Sequence, residues 1–118
     1  MTTEGKKRLH DIRMAAESLC SFTAGKTVED MKRSDMMQAA VERKLEIIGE
    51  AFVRLREEDA ATAQQFPDLR KIIGMRNRLV HGYDQLDLDV LWDAAVNHVP
   101  KLLEQVDALL NEGSDPLT

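Results

Sequence analysis

The stretch SDMMQAAVERKLEIIGEAFVRLREE, Ser34 to Glu58, decides the fold class of this 118-residue chain. Ser34 is a good helix N-cap, and the positions after it follow the three- and four-residue spacing of an amphipathic helix. The face that this spacing brings together comprises Met37, Ala40, Val41, Lys44, Ile48, Ala51 and Leu55, and it is widened by Leu45 and Phe52. The stretch therefore predicts one helix of about seven turns with one buried face.

Two further stretches with helical periodicity flank this helix. The first runs from about residue 6 to 23 and ends before Gly25, a residue type that is common just past helix C-termini. The second runs from about residue 66 to 81 and stops at Gly82. Both are therefore predicted to be amphipathic helices that cover the long one.

The last helix is predicted to begin at Asp87 or Asp89, either of which can cap it. Pro100 lies inside it and is expected to kink it near Asn97, because proline removes a backbone hydrogen bond. Its apolar stripe is expected to contain Leu91, Ala95, His98, Leu102, Val106 and Leu109.

The connections complete the predicted architecture. Thr27 and Asp30 have the spacing of a capping box and predict a short helix. The polar stretch 57–65 is expected to be a fraying helix end and a loop, and no stretch alternates as a strand does. We therefore predict a single all-α domain over residues 1–118, an antiparallel bundle of four main helices plus a short helix, with a frayed tail at about 112–118.

Composition excludes several classes of protein. No segment approaches the ~20 consecutive apolar residues of a membrane span, and no apolar region follows the N-terminal basic residues as in a secretory signal. Cys20 is the only cysteine, so an internal disulfide is excluded and a cytoplasmic location is expected. Because Cys and His residues are not clustered, we expect no metal site and no cofactor.

Charge is unevenly distributed in this acidic chain, whose formal net charge is −5. Residues 84–118 contain eight acidic residues and only one basic residue, Lys101. Residues 70–83 contain no acidic residue and four basic ones, which are Arg70, Lys71, Arg76 and Arg78. Local charge therefore favours an anionic ligand at residues 70–83 even though the whole chain is acidic.

Within this basic segment, an arginine occupies a position where the helical pattern requires an apolar side chain. Arg76 continues the apolar stripe of Ile72 and Ile73, and a buried unpaired guanidinium would be costly. Arg76 therefore either pairs inside the bundle or faces a second chain or a ligand. Asn77 and His81 are four residues apart, which places them on one side of the helix, with His81 at its C-terminal end.

The segment Arg76 to Tyr83, RNRLVHGY, resembles the R-x4-H-x-Y signature of the HepT family, the HEPN-domain toxins encoded beside a minimal nucleotidyltransferase antitoxin. The resemblance covers nearly the whole chain. It extends to FTAGKTVEDM (22–31), AVERKLEIIGEA (40–51), IIGMRNRLVHGY (72–83) and LDLDVLWDAAVNHVPKL (86–102). One departure is Leu69, which stands where the family often has tryptophan before the motif.

The resemblance implies a homodimeric, metal-independent endoribonuclease toxin in which the motifs of both chains meet in one cleft. On this interpretation His81 transfers a proton at the 2′-hydroxyl or the leaving oxygen, and Arg76 neutralises the charge that builds on phosphorus. Asn77 would orient His81 or a phosphate. Further cations could bind the RNA backbone without regard to base sequence, and these are Arg78, Lys71 and Arg70.

The resemblance also implies how the activity is controlled. In the family, the partner nucleotidyltransferase transfers AMP to the motif tyrosine, which corresponds to Tyr83 here. The modification would block the cleft with bulk and negative charge. The expected partners are therefore RNA, a second copy of the chain and a cognate nucleotidyltransferase antitoxin.

Two other functions are compatible with the sequence. The chain could be a non-catalytic HEPN partner that binds a nucleotide or presents substrate to the nucleotidyltransferase, or it could be a purely structural helical dimer. The intact pair of Arg76 and His81 favours the nuclease over both. Trp92 could fill the core or anchor a dimer, and the sequence is compatible with either.

Overall fold

A computed structural model of the chain describes residues 1–82 and 87–112, which are almost entirely helical. The helices are α1 (Thr3–Thr23), α2 (Val28–Lys32), α3 (Asp35–Glu58), α4 (Ala60–Ala63), α5 (Leu69–His81), α6 (Leu88–Asp93), a π-helical turn (Ala94–His98) and α7 (Val99–Glu112). No strand occurs in these residues, which confirms the all-α prediction. The predicted frayed tail at residues 112–118 falls outside them except for Glu112.

The long helix α3 is the centre of the fold. It packs against α1 and α5, and α1 in turn packs against α7. A salt bridge of 2.8 Å from Arg8 Nε to Glu58 Oε1 joins the start of α1 to the end of α3, so these two helices are antiparallel. Helix α5 packs principally against α3 alone, which leaves much of its surface open to solvent.

The core lies between α1, α3 and the C-terminal helices. The predicted stripe of the long helix is confirmed at its most apolar positions, because Val41, Ile48 and Leu55 are buried. The rings of Phe52 and Phe66 meet edge to face with their centroids 4.8 Å apart. This aromatic contact attaches the segment that precedes α5 to the middle of α3.

Three predicted helix starts are confirmed by side-chain caps, whereas α5 begins at Leu69 instead of residue 66 and has no side-chain cap. The Ser34 hydroxyl accepts a hydrogen bond from the Met37 backbone N–H at 3.1 Å at the start of α3. Thr27 and Asp30 form the complete capping box that begins α2, with reciprocal bonds of 3.2 and 2.8 Å. Asp87 is the cap of α6 and accepts from the Asp89 N–H at 2.8 Å.

The prediction for the stretch after α3 is wrong, because an ordered turn replaces the expected loop. Asp59 ends α3 and caps α4, in which Thr62 and Ala63 are buried. The Asp59 carboxylate is 8% exposed and accepts hydrogen bonds from the Thr2 N–H at 2.8 Å and the Thr62 hydroxyl at 2.7 Å. Local periodicity cannot predict this contact, because it joins Asp59 to the distant start of α1.

The last helix is irregular where Pro100 predicts a kink, because the π-helical turn Ala94–His98 inserts an extra residue there. Four of the six positions of its predicted stripe are buried, and these are Leu91, Ala95, Leu102 and Val106. Val99 and Leu110 are buried, and His98 and Leu109 are not. His98 is therefore outside the core, contrary to its predicted place in the apolar stripe.

In residues 1–82 and 87–112, no helix combines the length and the hydrophobicity that a membrane span requires.

The Asp59 anchor should make stability depend on pH. Hydrogen bonds from the Thr2 backbone and from Thr62 lower the pKa of the Asp59 carboxyl, although burial opposes them. Since the folded-state pKa lies below the unfolded value of about 3.9, the stabilisation is present above that value and is lost as pH falls through the folded-state pKa. We expect Asp59→Asn to lower the Tm at pH 7 by roughly 5 °C.

The measurement is thermal unfolding of both proteins by circular dichroism between pH 3 and pH 7. The difference in Tm between the wild type and Asp59→Asn should become smaller as the pH falls. Glu57→Gln is the control, because Glu57 is exposed and forms no hydrogen bond or salt bridge with a described residue. A difference in Tm that stays constant or widens toward low pH would contradict the role assigned to the Asp59 carboxylate.

Candidate functional site on helix α5

Helix α5 carries the motif residues and is the least buried of the long helices. Ile73 is its only buried residue. Its remaining apolar side chains are half-buried against the core, and they are Leu69, Ile72, Met75 and Leu79. The opposite face is open to solvent and carries Arg70, Lys71, Asn77, Arg78 and His81. The structure therefore places five of the six described site residues on one exposed, basic face.

Arg76 is the exception, because its side chain leaves α5 on the side that faces α3. Its Cβ and Cγ lie directly over Gly49, and a Cβ added at Gly49 would be 2.7 Å from Arg76 Cγ. Arg76 is half-buried as a result. The apolar stripe of α5 thus contains an arginine whose aliphatic stem packs on bare helix backbone.

The tip of Arg76 has few partners within the chain. Nη1 donates a hydrogen bond to Asn77 Oδ1 at 3.0 Å, and Nε is buried without a hydrogen-bond partner among the described residues. No carboxylate of residues 1–82 or 87–112 forms a salt bridge with the guanidinium. Of the three roles that the sequence left open for Arg76, internal ion pairing is therefore not observed in this part of the chain.

Asn77 connects the Arg76 side of α5 to the exposed side that bears His81. At about 100° per residue, Asn77 and His81 lie within about 40° of each other, whereas Arg76 and His81 are about 140° apart. The hydrogen bond to Asn77 holds the guanidinium toward the edge of the His81 face.

His81 is the last residue of α5, and the chain turns sharply after it. Gly82 has φ of 61°, the left-handed conformation that ends helices, and its N–H donates to Arg78 O at 3.2 Å. His81 is exposed at this helix end. The predicted modification site, Tyr83, lies outside the described residues.

A groove of about 260 Å³ lies between α5 and the C-terminal helices. Its apolar lining includes Ile72, Met75 and Val90, and its polar lining includes Lys71 and His98. Helix α5 itself packs mainly against α3. The groove is an uncovered apolar surface beside the basic face of α5.

His98 at this groove is paired with an acid of its own helix. Its Nε2 lies 3.1 Å from Asp93 Oδ2, and Asn97 donates to Asp93 Oδ1 at 2.7 Å. Hydrogen bonds from Asn97 and then from His98 lower the pKa of the Asp93 carboxyl. Sequence periodicity missed this pair, although the proline at position 100 signalled that the register would change.

Metal ligands are not grouped in the described part of the chain. No cluster of three or more His, Cys, Asp or Glu side chains there is arranged to hold a metal ion. The residues that converge on α5 are cations, an amide and an imidazole. This set suits an anion such as phosphate and not a divalent cation.

An all-α fold that presents an R-x4-H motif at the end of an exposed helix defines a HEPN-type protein. Residues 12–109 match the family described as Ribonuclease HepT-like, and the chain belongs to this family. The resemblance drawn from the sequence is thereby confirmed.

Similar proteins support the same placement. A Thermococcus cleftensis protein named "Probable ribonuclease HepT" is 33% identical over 109 residues, which are 92% of this chain and 98% of that protein. Two Methanocaldococcus jannaschii proteins, named as candidate RNases, are 32% and 29% identical over 86% and 91% of this chain and 93% and 89% of their own lengths. No solved structure matches the chain at comparable significance.

Proposed function

We propose that the chain is the toxin of a toxin–antitoxin pair and that it cleaves RNA as a metal-independent endoribonuclease. Membership of the HepT-like ribonuclease family supports the class of activity. The observation that carries the proposal is the Arg76 guanidinium, which forms a hydrogen bond with Asn77 and no salt bridge with a described residue. Such a group is available to a phosphate.

In the proposed reaction, the ribose 2′-oxygen attacks the adjacent phosphorus and the bond from phosphorus to the 5′-oxygen breaks. The products are a 2′,3′-cyclic phosphate and a 5′-hydroxyl. His81 transfers a proton at the attacking or the leaving oxygen, a role that suits imidazole because it titrates near neutral pH. Arg76 neutralises the charge that builds on the phosphate oxygens, which its planar fork can bind together.

RNA would be held along α5 by charge. Arg70, Lys71 and Arg78 are exposed on this helix, and none of them forms a salt bridge with a described residue. Contacts of this kind bind phosphates without regard to base sequence and weaken as salt rises. They position the strand, and Arg76 and His81 act on one phosphate of it.

We further propose that the active form is a homodimer. Each chain offers one His81, and acid and base catalysis of the same cleavage uses two proton-transfer groups. Apolar surface beside α5 supports the proposal, since Val80 and Val90 are 43% and 46% exposed and the groove beside Ile72 is uncovered. A second copy placed there would cover this surface and bring two motifs into one cleft.

The dimer has a direct test in solution. We expect light scattering at micromolar concentration to give twice the mass of the chain. The interface between the two copies should bury at least ~1,200 Å² in total. Val80→Glu should weaken the dimer, because it would place a charge in the covered surface, and Glu112→Gln at the end of α7 should not. A wild-type monomer that still cleaves RNA would rule out the composite cleft.

Ribonuclease activity is expected to persist in EDTA and to depend on the motif. His81→Ala and Arg76→Ala should each reduce cleavage of a labelled single-stranded RNA by at least ~100-fold. Matched controls are His10→Ala and Arg56→Ala, which remove a histidine and an arginine away from both the motif and the groove. Both controls should cleave at the wild-type rate and all four variants should keep their helical circular dichroism.

Contrary results would indicate a different site or a different function. Loss of activity in His98→Ala but not in His81→Ala would move the site to the groove. A homogeneous wild-type preparation without activity on any RNA would favour the non-catalytic partner of a nucleotidyltransferase.

We propose that the antitoxin silences the toxin by attaching AMP to Tyr83, the only tyrosine of the chain. The tyrosine oxygen would attack the α-phosphorus of ATP, form a phosphodiester and release pyrophosphate and a proton. The added phosphate would be attached two residues beyond His81 in the sequence. The cations of α5 would bind it in place of the substrate phosphate.

Intact-mass spectrometry after incubation with the cognate nucleotidyltransferase and ATP tests this assignment. We expect one or more AMP additions to the wild type and none to Tyr83→Phe. The Tyr83→Phe chain should still cleave RNA, because Arg76 and His81 are unchanged, and it should resist silencing. An AMP addition that persists in Tyr83→Phe would refute the assignment, and no addition to the wild type would favour control by complex formation.

A further inference from the structure

Gly49 of α3 and Arg76 of α5 approach each other so closely that no side chain can stand at position 49. A Cβ built there would overlap Arg76 Cβ, and it would lie 2.7 Å from Cγ and 3.4 Å from Cα. Atoms at the base of a side chain cannot swing away as the end of a flexible chain can. A larger residue at position 49 must therefore move helix α5 itself.

The backbone of α3 gives no other reason for glycine at this position. Positive φ among the described residues occurs only at Gly25 and Gly82, so Gly49 has an ordinary helical conformation. Glycine inside a helix costs about 1 kcal/mol relative to alanine. The close approach of Arg76 is what requires the bare backbone.

We infer that Gly49 is a positioning residue for Arg76. The inference rests on the proposed function, in which the Arg76 guanidinium neutralises charge on the phosphate. The bare backbone at Gly49 sets the distance between α3 and α5, and the Arg76 stem lies on it. From this base the guanidinium extends to the Asn77 amide at 3.0 Å, at the edge of the face that bears His81.

The contact fixes Arg76 at both ends of its side chain. Gly49 holds the base, Asn77 holds Nη1, and the buried Nε between them has no hydrogen-bond partner among the described residues. A buried donor left without a partner costs free energy, so stability alone would not favour this arrangement. This arrangement instead positions the guanidinium accurately, which gives a functional reason for it.

Gly49→Ala tests the inference in the full chain, with Gly74→Ala as the matched control. Gly74 is the same residue type inside α5, and a Cβ added there would have no atom within 4 Å. We expect Gly49→Ala to reduce the cleavage rate at saturating RNA by about 100-fold, the effect of moving a catalytic group by about 1 Å. Binding of a non-cleavable 2′-O-methyl RNA should change little, and Gly74→Ala should cleave at the wild-type rate.

A double-mutant cycle with Arg76→Ala shows whether Gly49 acts through the guanidinium, because this variant removes the guanidinium but keeps the Cβ that an alanine at position 49 would meet. If it does, Gly49→Ala has almost no further effect on the cleavage rate once the guanidinium is absent. If the two losses multiply, Gly49 acts on the fold or on His81 and the inference is overturned. A wild-type rate in Gly49→Ala would also overturn it.

A second double variant, Gly49→Ala with Arg76→Gly, remains informative if Gly49→Ala fails to fold. Arg76→Gly removes the Cβ and Cγ that an alanine at position 49 would meet, so the double variant should fold and unfold at a higher temperature than Gly49→Ala alone. A double variant that is no more stable than Gly49→Ala would refute the contact.

Failure of the proposed function has a different signature. In that case Arg76→Ala itself would cleave RNA at the wild-type rate, or the wild type would not cleave RNA at all.

Discussion

The close approach of α5 to α3 at Gly49 is the constraint on which the candidate site depends. Two helices that meet through large apolar side chains have axes about 8–10 Å apart. At Gly49 there is no side chain to hold the helices apart, and the stem of Arg76 fills the contact. An arginine can therefore occupy the apolar face of α5 while its charged end reaches the surface. The same contact that attaches the motif helix also places its guanidinium.

Charge is organised so that the acidic chain does not neutralise this surface. Two of the acidic residues that follow the motif are occupied elsewhere, since Asp89 pairs with Lys32 at 3.1 Å and Asp93 pairs with His98 at 3.1 Å. The cations of α5 form no salt bridge with described residues. A net charge of −5 is thus compatible with a local field that attracts phosphate. Whole-chain charge is a poor guide to the ligand of such a protein.

Sequence periodicity and turn chemistry predicted the elements whose determinants are local. The start of α3 at Ser34 and the end of α5 at Gly82 follow from residue types within one turn. Three features depend on distant contacts or on register and could not be predicted in this way. Asp59 orders α4 by binding the start of α1, a π-helical turn moves His98 out of the core, and Gly49 is explained only by Arg76. The motif was recognisable in the sequence, but the backbone that supports it was not.

The single interface of α5 has a consequence for how the protein opens. Its separation from α3 would expose one buried side chain of its own, Ile73, and would leave the packing of α1 with α3 and α7 intact. We therefore expect the amide hydrogens of α5 in the native state to exchange after a smaller local unfolding than those of α1 and α3. Anything that binds only the closed form slows this exchange in proportion to its occupancy. Protection of the α5 amides from exchange therefore measures the occupancy of the basic face by a bound molecule.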